Sequence, residues 1–181
     1  MNNTFGRALF WGSILLLVSA IWLEAQTPTP EISVSVGVMQ FDASGTGTAP
    51  VIALRAAVPF VGSWLLGEGN LSYASLDEQF SNVGTRVGLA EGQVQFQLPL
   101  ARVRPYLGAG AGWLHYFNNA AGRAATSPTY SAAAGLRVGL SPRFAARAEL
   151  RLRGWDYHSD QTGSNFGGSA AEWTAGLAYT F

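Results

Sequence analysis

The sequence predicts an all-β chain, an eight-stranded antiparallel up-and-down transmembrane β-barrel, on three observations. Charge is scarce: 48% of the 181 residues are hydrophobic and only 12% are charged, where soluble domains carry roughly 25%. Such a deficit calls for an apolar solvent or a large buried core. Beyond residue 30, apolar and polar residues alternate with the period of two that belongs to a strand. Clusters of Gly, Ser, Asn, Asp and Pro cut that alternation into about eight segments, each about ten residues long, the length that crosses a bilayer as a tilted strand.

The amino-terminal stretch stands outside this pattern. Residues 2–7 are polar with one positive charge, Arg7, residues 8–23 are mostly apolar, and Ala25 follows as a small residue. This order is that of a secretory signal peptide over residues 1–25, with cleavage after Ala25 or after Ala20. Its apolar span is short for a membrane helix, which needs about 20 residues. Residues 26–30, with two Thr-Pro pairs, read as an extended linker, and the barrel domain is expected over 31–181. No later segment has an apolar run of helix-spanning length.

The expected strands are 31–41, 50–60, 64–75, 84–100, 104–117, 129–140, 143–155 and 171–181. In the second, Ile52, Leu54, Ala56 and Val58 oppose Arg55; in the third, Leu71 and Tyr73 oppose Glu68, Asn70 and Ser72. In the fourth, Val94, Phe96, Leu98 and Leu100 oppose Glu91, Gln93, Gln95 and Gln97. The fifth sets Gly108, Gly110 and Gly112 against Leu107, Ala109 and Ala111, and the sixth sets Arg137 against Ala132, Ala134, Leu136, Val138 and Leu140. The seventh is the most informative, with Phe144, Ala146, Ala148, Leu150 and Leu152 on one side and Arg147, Glu149, Arg151 and Arg153 on the other. A soluble sandwich also alternates, but its wet faces normally carry more Lys, Glu and Thr.

Connections alternate in length. Segments 59–63, 99–103 and 141–142 are short, whereas 41–49, 76–83, 118–128 and 156–170 are longer and polar. Transmembrane barrels put short turns in the periplasm and long loops outside, so both termini are expected on the periplasmic side. Aromatics are expected as two girdles: Phe60, Trp64, Phe144, Tyr179 and Phe181 at the periplasmic ends, and Tyr73, Trp113, Tyr130 and Trp173 at the others. Phe96 is read as an aromatic at a strand centre, and Trp155, whose parity is luminal, is placed above the membrane.

If the apolar faces meet lipid, the polar faces fill the lumen. Buried charges need partners, so Arg55, Arg137, Arg147, Arg151 and Arg153 are expected to meet Glu68, Glu91 and Glu149 in a plugged interior, with the glycine row giving their long side chains room.

The last segment alternates Trp173, Ala175, Leu177, Tyr179 and Phe181 with Thr174, Gly176, Ala178 and Thr180, and ends on an aromatic residue. Here, and in the stretch from Pro105 to Gly110, the chain resembles the small bacterial outer-membrane barrels of the OmpA and opacity types. The resemblance implies location in the bacterial outer membrane among its lipid and lipopolysaccharide, and assembly by the barrel-assembly machinery, which would read Tyr179 and Phe181. It covers 31–181. The chain stops at the last strand, so the family's periplasmic peptidoglycan-binding domain is not expected.

Composition excludes several classes. Absence of Cys removes disulfide frameworks and thiolate metal sites. Eleven Arg and no Lys balance eleven acids, and neutrality without a basic patch speaks against nucleic-acid binding. The Gly-rich run at 108–112 lacks the strand-to-helix context of a phosphate loop, so no cofactor is expected. Asn70-Leu71-Ser72 matches a glycosylation sequon but falls inside an expected membrane strand.

Catalysis by serine needs a base, and the chain has two histidines. His115 falls on the outward face near the outer rim. His158 lies in the last outer segment with Ser159, Asp160 and Glu172, which resembles the late His and Glu of outer-membrane lipid A deacylases; their Ser lies two residues after the His, where this chain has Asp160. Asp156, Asp160 and Asn165 offer oxygen ligands but lack the spacing of a calcium loop, and no metal site is expected. The leading expectation is therefore a non-enzymatic barrel with a filled lumen, acting as a structural, adhesin-like or ligand-binding surface protein through its outer loops. A lipid A-modifying enzyme using His158 and Glu172 is the alternative, and a narrow diffusion pore the third.

Overall fold

The computed structural model describes residues 29–41, 47–76, 85–118, 125–159 and 164–181. Within them run eight strands: β1 (Glu31–Phe41), β2 (Gly47–Val61), β3 (Leu65–Leu76), β4 (Thr85–Gln97), β5 (Val103–Asn118), β6 (Ala125–Gly139), β7 (Phe144–Ser159) and β8 (Ser164–Thr180). Each pairs antiparallel with the next, and β8 closes onto β1 in a register running from Glu31 opposite Thr180 to Phe41 opposite Ala170. Closure leaves no unpaired edge, the condition for a sheet whose outer face lacks water.

The side-chain period decides which face is which. Ile32, Val34, Val36 and Val38 of β1 point outward and are 44–61% exposed, while Ser33 and Ser35 between them are buried. Outward Val, Ile and Leu continue around the barrel through Ile52, Leu54, Leu71, Val94, Leu107, Leu152 and Leu177. The protein's largest apolar surface is therefore its outside, inverting the arrangement of a soluble domain.

The start of β1, the end of β8 and the short connections share one end, the turn end. At residue 62 the chain turns through Gly62, whose φ of 53° suits a residue without Cβ. Between β4 and β5, Val103 donates to the Leu100 carbonyl at 2.8 Å and Leu98 to that of Pro105 at 2.9 Å. Pro99, which has no amide hydrogen, follows the end of β4, and the strand stops at Gln97 rather than at residue 100.

At the opposite, outer end the strands run further than the apolar alternation suggests. The expected loop at 156–170 is largely a hairpin: β7 continues to Ser159 and β8 starts at Ser164, with Asp156 opposite Gly167 and His158 opposite Asn165. Above the apolar band neither face selects for hydrophobicity, so the ladder continues while its sequence signal fades. β6 similarly begins at Ala125, four residues before the expected start.

One aromatic sits elsewhere than expected, and a second keeps its expected parity. Phe96 is not central: it precedes the last residue of β4, lies opposite Leu65, and packs edge-on against Trp64 at 5.7 Å between centroids, joining the girdle of the turn end. Trp155 keeps its luminal parity along the longer β7 and points into the barrel, 6% exposed. It lies over Gly168, where any Cβ would collide with the indole.

Candidate functional site

The barrel interior divides into two layers. The layer toward the turn end holds five arginines (Arg55, Arg137, Arg147, Arg151 and Arg153) and five glutamates (Glu31, Glu68, Glu91, Glu149 and Glu172), all buried. Their formal charges cancel, which is what lets a low-dielectric interior hold them.

β7 supplies the spine of this network, since Arg147, Glu149, Arg151 and Arg153 project inward from alternate positions. Arg147 grips Glu68 across the lumen with two nitrogens, at 2.5 and 2.9 Å, and Glu149 at 2.7 Å. Arg151 bridges Glu91 at 2.9 Å and Glu149 at 2.9 Å. Arg153 pairs with Glu91 and, at 2.8 Å, with Glu172. Arg55 enters from β2 and reaches Glu149 and Glu172, each at 3.2 Å, while donating to Ser35 at 2.9 Å and Thr174 at 3.1 Å. The planar guanidinium fork lets one arginine serve two carboxylates.

Arg137 and Arg147 stand directly opposite each other on β6 and β7, a like-charge pair that would repel. Glu68 reaches between them from β3, at 3.5 Å from Arg137. The Tyr106 ring also faces both guanidiniums, at 4.4 and 5.1 Å. Its hydroxyl donates to Glu149 at 2.6 Å and accepts from Arg147 Nε at 2.8 Å. Glycine makes this reach feasible, because Gly135 lies in register between Tyr106 on β5 and Glu149 on β7, and a Cβ there would strike the phenol ring. Gly108 and Gly110 likewise leave the space occupied by Gln93 and Glu91. Arg137 is completed by Gln95 and Gln97, both at 2.7 Å, and Glu31 at 3.2 Å.

Above the charges lies an apolar layer toward the outer end. Met39, Phe41, Ala49, Val51, Ala74, Val87, Leu89, Leu114, Trp155 and Ala170 are buried together, with Tyr116 packed against them. Phe41 and Trp155 meet edge-on at 6.2 Å. Side chains thus fill the lumen from both ends, ionic below and apolar above.

Among the described residues, those with chemical potential are not assembled into a catalytic group. Glu172 is fully buried and held by Arg55 and Arg153. His158 pairs with Asn165, seven positions before Glu172 on β8, a separation of roughly 23 Å along a strand rising about 3.3 Å per residue. Asp160 lies outside the described residues. His115 is outward and half-buried, its Nδ1 2.7 Å from Thr126 Oγ1 and its ring 4.7 Å from that of Phe117. Asp156 is exposed and stands opposite Gly167, whereas Asn165 stands opposite His158. Tyr179 packs edge-on between Phe144 and Phe181, both at 5.3 Å, at the seam where β8 meets β1.

Sequence reasoning leaves out Glu172, Glu31 and Tyr106 as network members. Each carries a signal: Glu172 shares the parity of Thr174, Glu31 that of Ser33, and Tyr106 that of the glycine row. The apolar layer gives no such signal, because an apolar residue with luminal parity beside an apolar outward neighbour shows no contrast.

The family model described as outer membrane protein beta-barrel domain matches residues 13–181. Among solved structures the chain is similar to Neisserial surface protein A, at 13% identity and a TM-score of 0.67, over 84% of this chain and 97% of that one. It is also similar to Ail, the attachment invasion locus protein of Yersinia pestis, at 16% identity and a TM-score of 0.56, over 86% and 100%. The outer membrane enzyme PagL shares the fold at 12% identity and a TM-score of 0.55, over 82% and 97%. No curated relative matches the sequence.

Proposed function

Because the chain belongs to the outer membrane protein beta-barrel domain family and lies in the bacterial outer membrane, we propose that it is a non-enzymatic envelope protein, its lumen closed by its own side chains, whose outer hairpins form an adhesive or ligand-binding surface. The observation that carries this reading is the occupied interior. Five arginines and five glutamates neutralise one another there, and an apolar layer covers them on the outer side. A partner outside the cell then meets only the outer ends of the strands and what connects them.

The separation of His158 from Glu172, and the two arginines holding Glu172, speak against lipid A hydrolysis. A general base must come within hydrogen-bond reach of the group it activates, and no side-chain rotation spans roughly 23 Å.

The test is the lipid A mass profile of outer membranes from cells expressing the chain, its His158→Ala variant, or neither. The three profiles are expected to coincide. A deacylated species that appears with the chain and disappears with His158→Ala would overturn the non-enzymatic reading.

A further inference from the structure

At the turn end a cavity of about 1060 Å³ opens below the ionic layer. Arg102, Arg104, Arg137 and Arg143 line it beside Glu31. Glu31 is engaged by Arg137 at 3.2 Å. Among the described residues no carboxylate stands within ion-pair distance of Arg102 or Arg143, and both are exposed.

Backbone bonds fix where these two arginines sit. Gly139 donates to the Arg102 carbonyl at 2.7 Å, tying the β4–β5 connection to the end of β6. Thr180 donates to the Arg143 carbonyl at 2.9 Å, tying the β6–β7 connection to β8. The basic mouth is therefore built on hydrogen-bonded turns. Leu140, Phe144 and Phe181, which also line the cavity, are exposed. Cationic and apolar surfaces thus meet at the level where acyl chains give way to headgroups.

We propose that this mouth holds the headgroup of an anionic phospholipid from the periplasm-facing leaflet, its phosphate between Arg102 and Arg143 and its acyl chains against Leu140, Phe144 and Phe181. Guanidinium forks bind phosphate oxygens in pairs, and basic pockets beside membrane-spanning elements are suited to acidic headgroups. The adjoining apolar residues select a lipid over a free anion, since only a lipid brings chains to cover them.

The experiment is native mass spectrometry of the purified full chain released from nanodiscs of mixed phosphatidylglycerol and phosphatidylcholine. Wild type is expected to retain phosphatidylglycerol over phosphatidylcholine by roughly 30-fold, two arginines contributing about 1 kcal/mol each. The double variant Arg102→Gln, Arg143→Gln is expected to lose that preference while keeping the heat-modifiable gel migration of a folded barrel. Arg86→Gln, exposed at the outer end, is expected to keep it. Equal retention by wild type and the double variant, or a preference abolished by Arg86→Gln, would overturn the site. Displacement of phosphatidylglycerol by an equal concentration of inorganic phosphate would overturn its lipid character.

Discussion

Removing one carboxylate from the luminal network is the sharpest perturbation available. Glu149 accepts from Arg147 at 2.7 Å, Arg151 at 2.9 Å and the Tyr106 hydroxyl at 2.6 Å, and lies 3.2 Å from Arg55. Glu149→Ala leaves five buried arginines facing four glutamates and takes the acceptor from a buried phenol. Breaking a buried pair by deleting one partner costs about 3–5 kcal/mol, and an orphaned buried donor about 1–3 kcal/mol. These overlap, because Arg147 keeps its two-pronged contact with Glu68 and Arg151 keeps Glu91. The expected loss is therefore about 4 kcal/mol, measured as the shift in urea unfolding of the barrel in lipid vesicles. Restoring neutrality by adding Arg151→Met should make the double variant more stable than Glu149→Ala alone, since neutral groups of similar shape replace a buried ion pair at little cost. A loss below about 1 kcal/mol for Glu149→Ala, or a double variant as unstable as the sum of its single variants, would refute the view that charge balance governs the interior.

Two further substitutions probe the faces of the barrel by the same unfolding assay. Val36→Arg, at the middle of β1 and pointing outward, is expected to cost about 2–4 kcal/mol, as for a charge on a lipid-facing strand near the bilayer midplane. Gly112→Ala brings a Cβ onto the Ala90 carbonyl oxygen and the Glu91 backbone and should destabilise strongly, whereas Gly92→Ala points into open space and should change stability by less than about 1 kcal/mol.

The fold was legible because a barrel between lipid and a charged lumen needs contrast at every second residue. Along β7 the alternation of Phe144, Ala146, Ala148, Leu150 and Leu152 with Arg147, Glu149, Arg151 and Arg153 names both faces without any knowledge of neighbours. Strand ends were less legible. The hairpin joining His158 to Asn165 lies above the apolar band, where backbone pairing continues without a side-chain pattern. Parity also cannot say which arginine meets which carboxylate, since that depends on stagger around the closed sheet. Glu172, suggestive beside His158 in the sequence, is carried by the register to a place opposite Arg151. Trp155 shows the converse limit: its luminal parity was visible, but the apolar layer that receives it is assembled from six other strands and has no local signature.

The closed interior is tested most directly by electrical recording. With the purified full chain in a planar lipid bilayer under an applied potential, no steady conductance above that of the bare membrane is expected. Long-lived, stepwise channel openings that scale with the amount of folded barrel would contradict a lumen filled from both ends.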